Sequence, residues 1–127
     1  MTQGVATLAS RYSVADTISR IQAAIRAKGM TLFSVIDQRA EAQKVGLTMS
    51  EETLIIFGSP KGGTPIMVAA PLSALDLPLK ALVWQDTAGA VWVSYNTPAY
   101  LAARYAIPPE LVQNIAGIEP LLAGALG

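Results

Sequence analysis

No regular element can run unbroken through residues Phe57 to Met67, which read Phe-Gly-Ser-Pro-Lys-Gly-Gly-Thr-Pro-Ile-Met. Gly58, Gly62 and Gly63 loosen the backbone there, and Pro60 and Pro65 each remove a hydrogen-bond donor. Upstream, Thr53 to Phe57 is rich in β-formers; downstream, Ile66 to Ala70 suits a short helix that Pro71 ends. Thr64 is placed to cap that helix and Pro65 to take its first position, where a missing amide hydrogen costs nothing. Any fold of this chain must therefore deliver a strand into a glycine-rich turn and leave it as a helix.

The remaining segments extend that strand-and-helix order. Val5 to Ala9 reads as a short first strand, and Ser13 stands three residues before Asp16 as a helix-capping pair. Val14, Ile18, Ile21 and Ile25 then recur at four- and three-residue steps on one helix face, closed by Lys28 and Gly29. Met30 to Ile36 reads as a strand buried on both faces and ending at Asp37; Arg39 to Val45 reads as a short helix stopped by Gly46. Leu79 to Asp86 and Ala90 to Tyr95 flank Thr87-Ala88-Gly89, a three-residue hairpin loop. With Asp86 facing Ala90, Trp84 falls opposite Trp92 and Leu82 opposite Ser94, while Leu79, Ala81, Val83, Val91, Val93 and Tyr95 share the other face. Pro98 opens a further helix to Tyr105, and Pro108-Pro109 opens a last one that Gly117 and Pro120 weaken, with an irregular end. This order predicts one α+β domain over residues 1–127, of two layers. Its mixed sheet has about five strands and ends in an antiparallel hairpin, with the helices on one face.

Composition excludes several functions. Histidine and cysteine are both absent, which removes Ser-His-Asp and Cys-His catalysis, thiolate ligands and most zinc sites, so neither a metal nor another cofactor is expected. Nine basic residues balance nine acidic ones without any run of like charge, which argues against a nucleic-acid partner. Apolar stretches are interrupted by Pro71, Asp76, Lys80, Glu119 and Pro120, too short to span a membrane. With no basic leader before Val5 and no cysteine, the expected location is cytoplasmic. A chain that is 52% hydrophobic and 14% charged is short of polar residues to cover a monomer, which favours a homodimer.

Together, Ile36-Asp37, Lys44-Val45-Gly46-Leu47, the Phe57 to Met67 stretch, Leu75-Asp76-Leu77-Pro78-Leu79-Lys80, Trp84, Tyr95-Asn96 and Tyr100-Leu101-Ala102 form a set. On these motifs the chain resembles the bacterial family called domain of unknown function 302, over roughly residues 15 to 115. The resemblance implies an α+β fold that forms homodimers, and says almost nothing of activity. This chain departs from the family's usual pattern at Ser59, where Asn is common, at Gly62, where Ala is common, and at Gln38, where a histidine often stands. Family chemistry that relied on such a histidine has no counterpart here.

Two sets of residues carry functional readings, each beside a plainer one. At the turn, Lys61 with the amides of Gly62, Gly63 and Thr64 would suit a small anion or carboxylate; otherwise these residues only turn a strand into a helix. Gly58 and Gly63 have phosphate-loop spacing, but Thr64 stands where that motif needs lysine, which argues against a nucleotide triphosphatase. Lys80, on an apolar strand, would serve an enzyme as base or nucleophile with Asp37 or Asp76 in a pocket near Trp84; otherwise it pairs with a carboxylate or reaches solvent. Trp84 and Trp92 make either a stacking platform or a dimer surface. The expectation is a non-catalytic homodimeric module that binds a small anionic ligand or a protein at the Gly58 to Thr64 turn.

Overall fold

The computed structural model describes residues 2–127. Helix α1 (Val14–Ala27) follows strand β1 (Val5–Ser10) and is capped by Ser13, whose hydroxyl accepts from the Asp16 amide. Strand β2 (Thr31–Asp37) leads into α2 (Gln38–Lys44), and β3 (Glu52–Gly58) into α3 (Pro60–Ala69). A 3-10 turn (Pro71–Leu75) precedes the hairpin of β4 (Leu79–Gln85) and β5 (Val91–Asn96). Helices α4 (Pro98–Tyr105), α5 (Pro109–Ala116) and α6 (Ile118–Leu126) complete the chain.

The fold is α+β as expected, with five strands in the order β1-β5-β4-β3-β2. The sheet is antiparallel at every pairing rather than mixed. The reason lies in the β3-to-β4 connection. Alternating strands and helices suggest crossovers between parallel strands, but α3 and the 3-10 turn make an out-and-back excursion. They return the chain to the end it left, so Leu79 pairs with Phe57. The long way round is taken by α1 instead, which links the two opposite edges of the sheet.

One face of the sheet is sealed. Ile55, Phe57, Ala81, Val83 and Val93 have no solvent exposure and pack with Ile21 and Ile25 of α1, Ile66 of α3, Leu101 of α4, Ile115 of α5 and Leu122 of α6. The helices that supply core side chains thus cover a single face. Helix α2 leans on β3 and buries no residue. Polar groups inside this layer are paired: the fully buried Thr17 shares a hydrogen bond of 2.6 Å with Ser10, and Ser73 donates to the Ala70 carbonyl at 2.6 Å.

Three expectations change. Strand β2 is not buried on both faces: it is a sheet edge, with Phe33 49% and Val35 40% exposed. The third helix begins at Pro60 rather than Pro65, because Ser59 rather than Thr64 caps it and Pro60 fits its first turn equally well; Pro65 lies inside. The C-terminal segment is not frayed but divided, with α5 and α6 meeting at Gly117 and Pro120 tolerated in the first turn of α6.

Candidate functional site

The earlier start of α3 changes what the glycine turn offers. The amides of Gly62 and Gly63 both donate to the Ser59 carbonyl, at 3.0 and 2.8 Å, and the Gly62 amide also lies 3.4 Å from the Ser59 hydroxyl. These donors are spent inside the helix, so the expected cradle of Gly62, Gly63 and Thr64 amides does not form. Lys61 and Thr64 are exposed. Gly62 has a packing role: a Cβ there would lie 3.1 Å from the Asn114 carbonyl oxygen of α5, whose side-chain amide donates to the Gly62 carbonyl at 3.1 Å.

What the turn does form is the wall of a groove. A cavity of about 90 Å³ lies between the Gly58-Ser59-Pro60 corner, Gly63 and Met67 of α3, Leu77 and Pro78 before β4, and Ile115 of α5. Met30 and Phe33 close its far side, and the register shift between Leu32 and Ser34 is a bulge that sets Phe33 there. A second cavity of about 320 Å³ shares Met30, Ser59 and Asn114 with the first and adds Lys28, Gln113 and Leu121. Sequence reasoning missed Lys28, Met30, Phe33 and Asn114, which come from segments far apart. Lys28 in particular reads as an ordinary favourable charge at a helix end.

The uncovered face of the sheet is the second candidate. Strand pairing there is as the hairpin predicts, with Trp84 opposite Trp92, Leu82 opposite Ser94 and the Asp86 amide donating to the Ala90 carbonyl at 2.9 Å. The indole rings lie 6.4 Å apart between centroids, tilted by 30°. Each indole N–H has a partner within the face: Trp84 donates to Ser94 Oγ and Trp92 to Asp86 Oδ2, both at 2.9 Å. Ser94 in turn shares a 2.8 Å hydrogen bond with Thr7 of β1. The Trp92 donor, and then the Ala90 amide, hold the Asp86 carboxyl below its usual value.

Lys80 lies on this same uncovered face, beside Leu54, Leu82 and Asn96 in a shallow pocket. Among the described residues it makes no ion pair. Asp37 pairs with Thr53, on the covered side of the register, and caps α2 by accepting from the Ala40 amide at 2.9 Å. Asp76 sits in the helical layer, where it accepts from Arg104 at 2.9 Å and from the Tyr105 hydroxyl. That bond to Asp76 is the main reason the Tyr105 phenol holds its proton above the ordinary range, with burial second. The Lys80 and carboxylate set expected of an enzyme is not brought together. No group of three or more potential metal-binding side chains exists among the described residues.

The chain matches the family described as "Domain of unknown function DUF302" over residues 6–124. A crystal structure of an uncharacterised conserved DUF302 protein from Bacillus stearothermophilus superposes with a TM-score of 0.81, covering 98% of this chain and 97% of that one at 21% identity, and so shares the fold. Two curated relatives are each named a fluoride-specific ion channel, FluC 1, one from Brucella suis and one from Brucella abortus. Both are 43% identical over 104 residues, 82% of this chain. The chain spans 41% and 38% of their respective lengths. No helix among the described residues is long and apolar enough to cross a membrane.

Proposed function

From the premise that this chain belongs to the DUF302 family, we propose that it is a non-catalytic binding module whose ligand sits in the groove beside the Gly58 to Thr64 turn. The observation that carries this reading is the concave, mainly apolar site built where β3 enters α3, roofed by α5 and flanked by the bulge of β2. Such sites, apolar with a few convergent polar groups, are the usual places for small ligands. The ligand reaches the groove rather than the helix amides, since those amides are already bonded.

The test is a titration of isotope-labelled protein with a panel of small neutral and charged compounds, read by amide chemical shifts. Shifts that cluster at Gly58, Gly63, Met67 and Asn114 support the groove. A panel that moves resonances only elsewhere, or none at all, removes it.

A second reading, that two copies pair through the uncovered sheet face, is favoured by the internally satisfied indoles of Trp84 and Trp92. A face whose donors already have partners loses little when water leaves it. In the Brucella relatives a unit like this one is part of a chain named as an ion channel, where it would serve as an assembly or ligand-sensing part. The cysteine-free composition supports a cytoplasmic setting for such a part.

A further inference from the structure

We propose that the groove takes an amphiphilic carboxylate, with a short apolar tail in the smaller chamber against Gly63 and its anionic head in the larger one beside Lys28. This rests on the reading of the groove as a ligand site and names the class of ligand.

Gly63 is the first argument. Its backbone is not in the left-handed region, and a Cβ built on it would meet only the Met67 Cε, at 3.9 Å, an ordinary contact. Neither conformation nor crowding therefore calls for glycine, although glycine weakens a helix interior. Gly62 next to it differs, since its Cβ would press on the Asn114 carbonyl. Gly63, like Gly58, borders the 90 Å³ chamber, and the side chain it lacks leaves space on that wall. The helix thus carries a glycine, at a cost in stability, at a position that lines the groove.

The chamber's size and walls define the tail. Met30, Phe33, Met67 and Leu77 are apolar, and the two thioethers adapt to a guest's shape. A space of about 90 Å³ is smaller than the roughly 150 Å³ that admits benzene. It suits the end of an unbranched chain rather than a ring.

The head follows from the adjoining chamber. Ser59, Gln113 and Asn114 supply polar atoms there, and Lys28 is its one charged lining residue. Lys28 makes no ion pair among the described residues, and no carboxylate lines either chamber. An exposed lysine with no carboxylate beside it in either chamber matches a head with a single negative charge. Because Met30, Ser59 and Asn114 border both chambers, one molecule can occupy the two together.

The experiment compares hexanoate, 1-hexanol and hexylammonium, equal in chain length and different in head charge, by calorimetry and amide shifts on the wild-type chain and on Gly63→Ala, Gly63→Leu and Lys28→Gln. Hexanoate should bind at least about tenfold more tightly than hexylammonium. Gly63→Leu should weaken hexanoate by about tenfold or more, and Gly63→Ala should weaken it while raising the unfolding temperature. A merely structural glycine would not give that opposed pair of changes. Lys28→Gln should erase the preference for hexanoate over hexanol. Hexanoate binding that survives both Gly63 variants overturns the tail assignment. Hexanol binding more tightly than hexanoate keeps the groove but overturns the anionic class. If none of the three binds, the groove itself falls as a ligand site.

Discussion

The two faces of the sheet use the same strands and differ in what they ask of water. On the covered face, Ile55, Phe57, Ala81, Val83 and Val93 are fully buried, and Thr53 is the main polar intrusion. On the other, Leu54, Ile56, Leu82, Trp84 and Trp92 are half-buried at the alternate positions, interleaved with Lys80, Ser94 and Asn96. The first face is apolar because helices cover it. The second keeps five large apolar residues without such cover, and its indole donors are tied to neighbours on the same sheet. A chain that only needed to fold would gain from polar residues there, since they cost nothing in solvent. The contrast separates residues that hold the molecule together from residues that prepare a surface.

The covered face is the place to look for the largest effect. Phe57→Ala should lower stability by about 3–5 kcal/mol through lost burial and the cavity left behind, measured by denaturant unfolding. A loss below about 1 kcal/mol would mean that Phe57 is not at the centre of the core. The uncovered face should respond in association. Trp92→Glu should shift a dimer to monomer by light scattering, with a loss of about 2 kcal/mol or more in association while the chain stays folded. Because Trp92 also holds the hairpin through Asp86, Leu82→Lys provides a second test. A dimer that survives both places the interface elsewhere, and a wild-type chain that is monomeric ends the pairing proposal.

The smallest effect is a titration. Asp86 binds its proton more weakly in the folded state than the ordinary value of 3.8. Its contribution is therefore complete above that value and is lost as pH falls through the lower, folded one. The Trp92 indole N–H resonance should move only as pH falls below 3.8, and Asp86→Asn should abolish the movement. An indole signal indifferent to acid would show that the hydrogen bond does not persist in solution.

Local rules carried much of the fold. The apolar spacing and cap of α1 place it between Ser13 and Lys28, and the Thr87-Ala88-Gly89 loop sets the register that puts Trp84 opposite Trp92. The failures arise where a rule admits two answers or where distance in sequence hides a neighbour. Both Ser59-Pro60 and Thr64-Pro65 read as a cap followed by a first-turn proline, and only packing against α5 decides between them. The exposure of β2 depends on its place at the edge of the sheet, which its own residues do not encode. Of the groove, the glycine corner was legible because glycine and proline punctuate the chain visibly. Lys28, Phe33 and Asn114 were not, because the groove exists only once β2, α3 and α5 have met.

The pairing of β1 with β5 sets an order of events during synthesis. Val5 lies opposite Asn96, so β1 has no partner in the sheet until the residues as far as β5 have been made. Strands β2 to β5 are neighbours both in sequence order and in the sheet, whereas β1 reaches β5 only across a long loop. Closing so long a loop is slow compared with forming the hairpin. Without β1 in place β5 would present an open edge, so a change that slows β1 docking should raise the chance of pairing with another molecule instead.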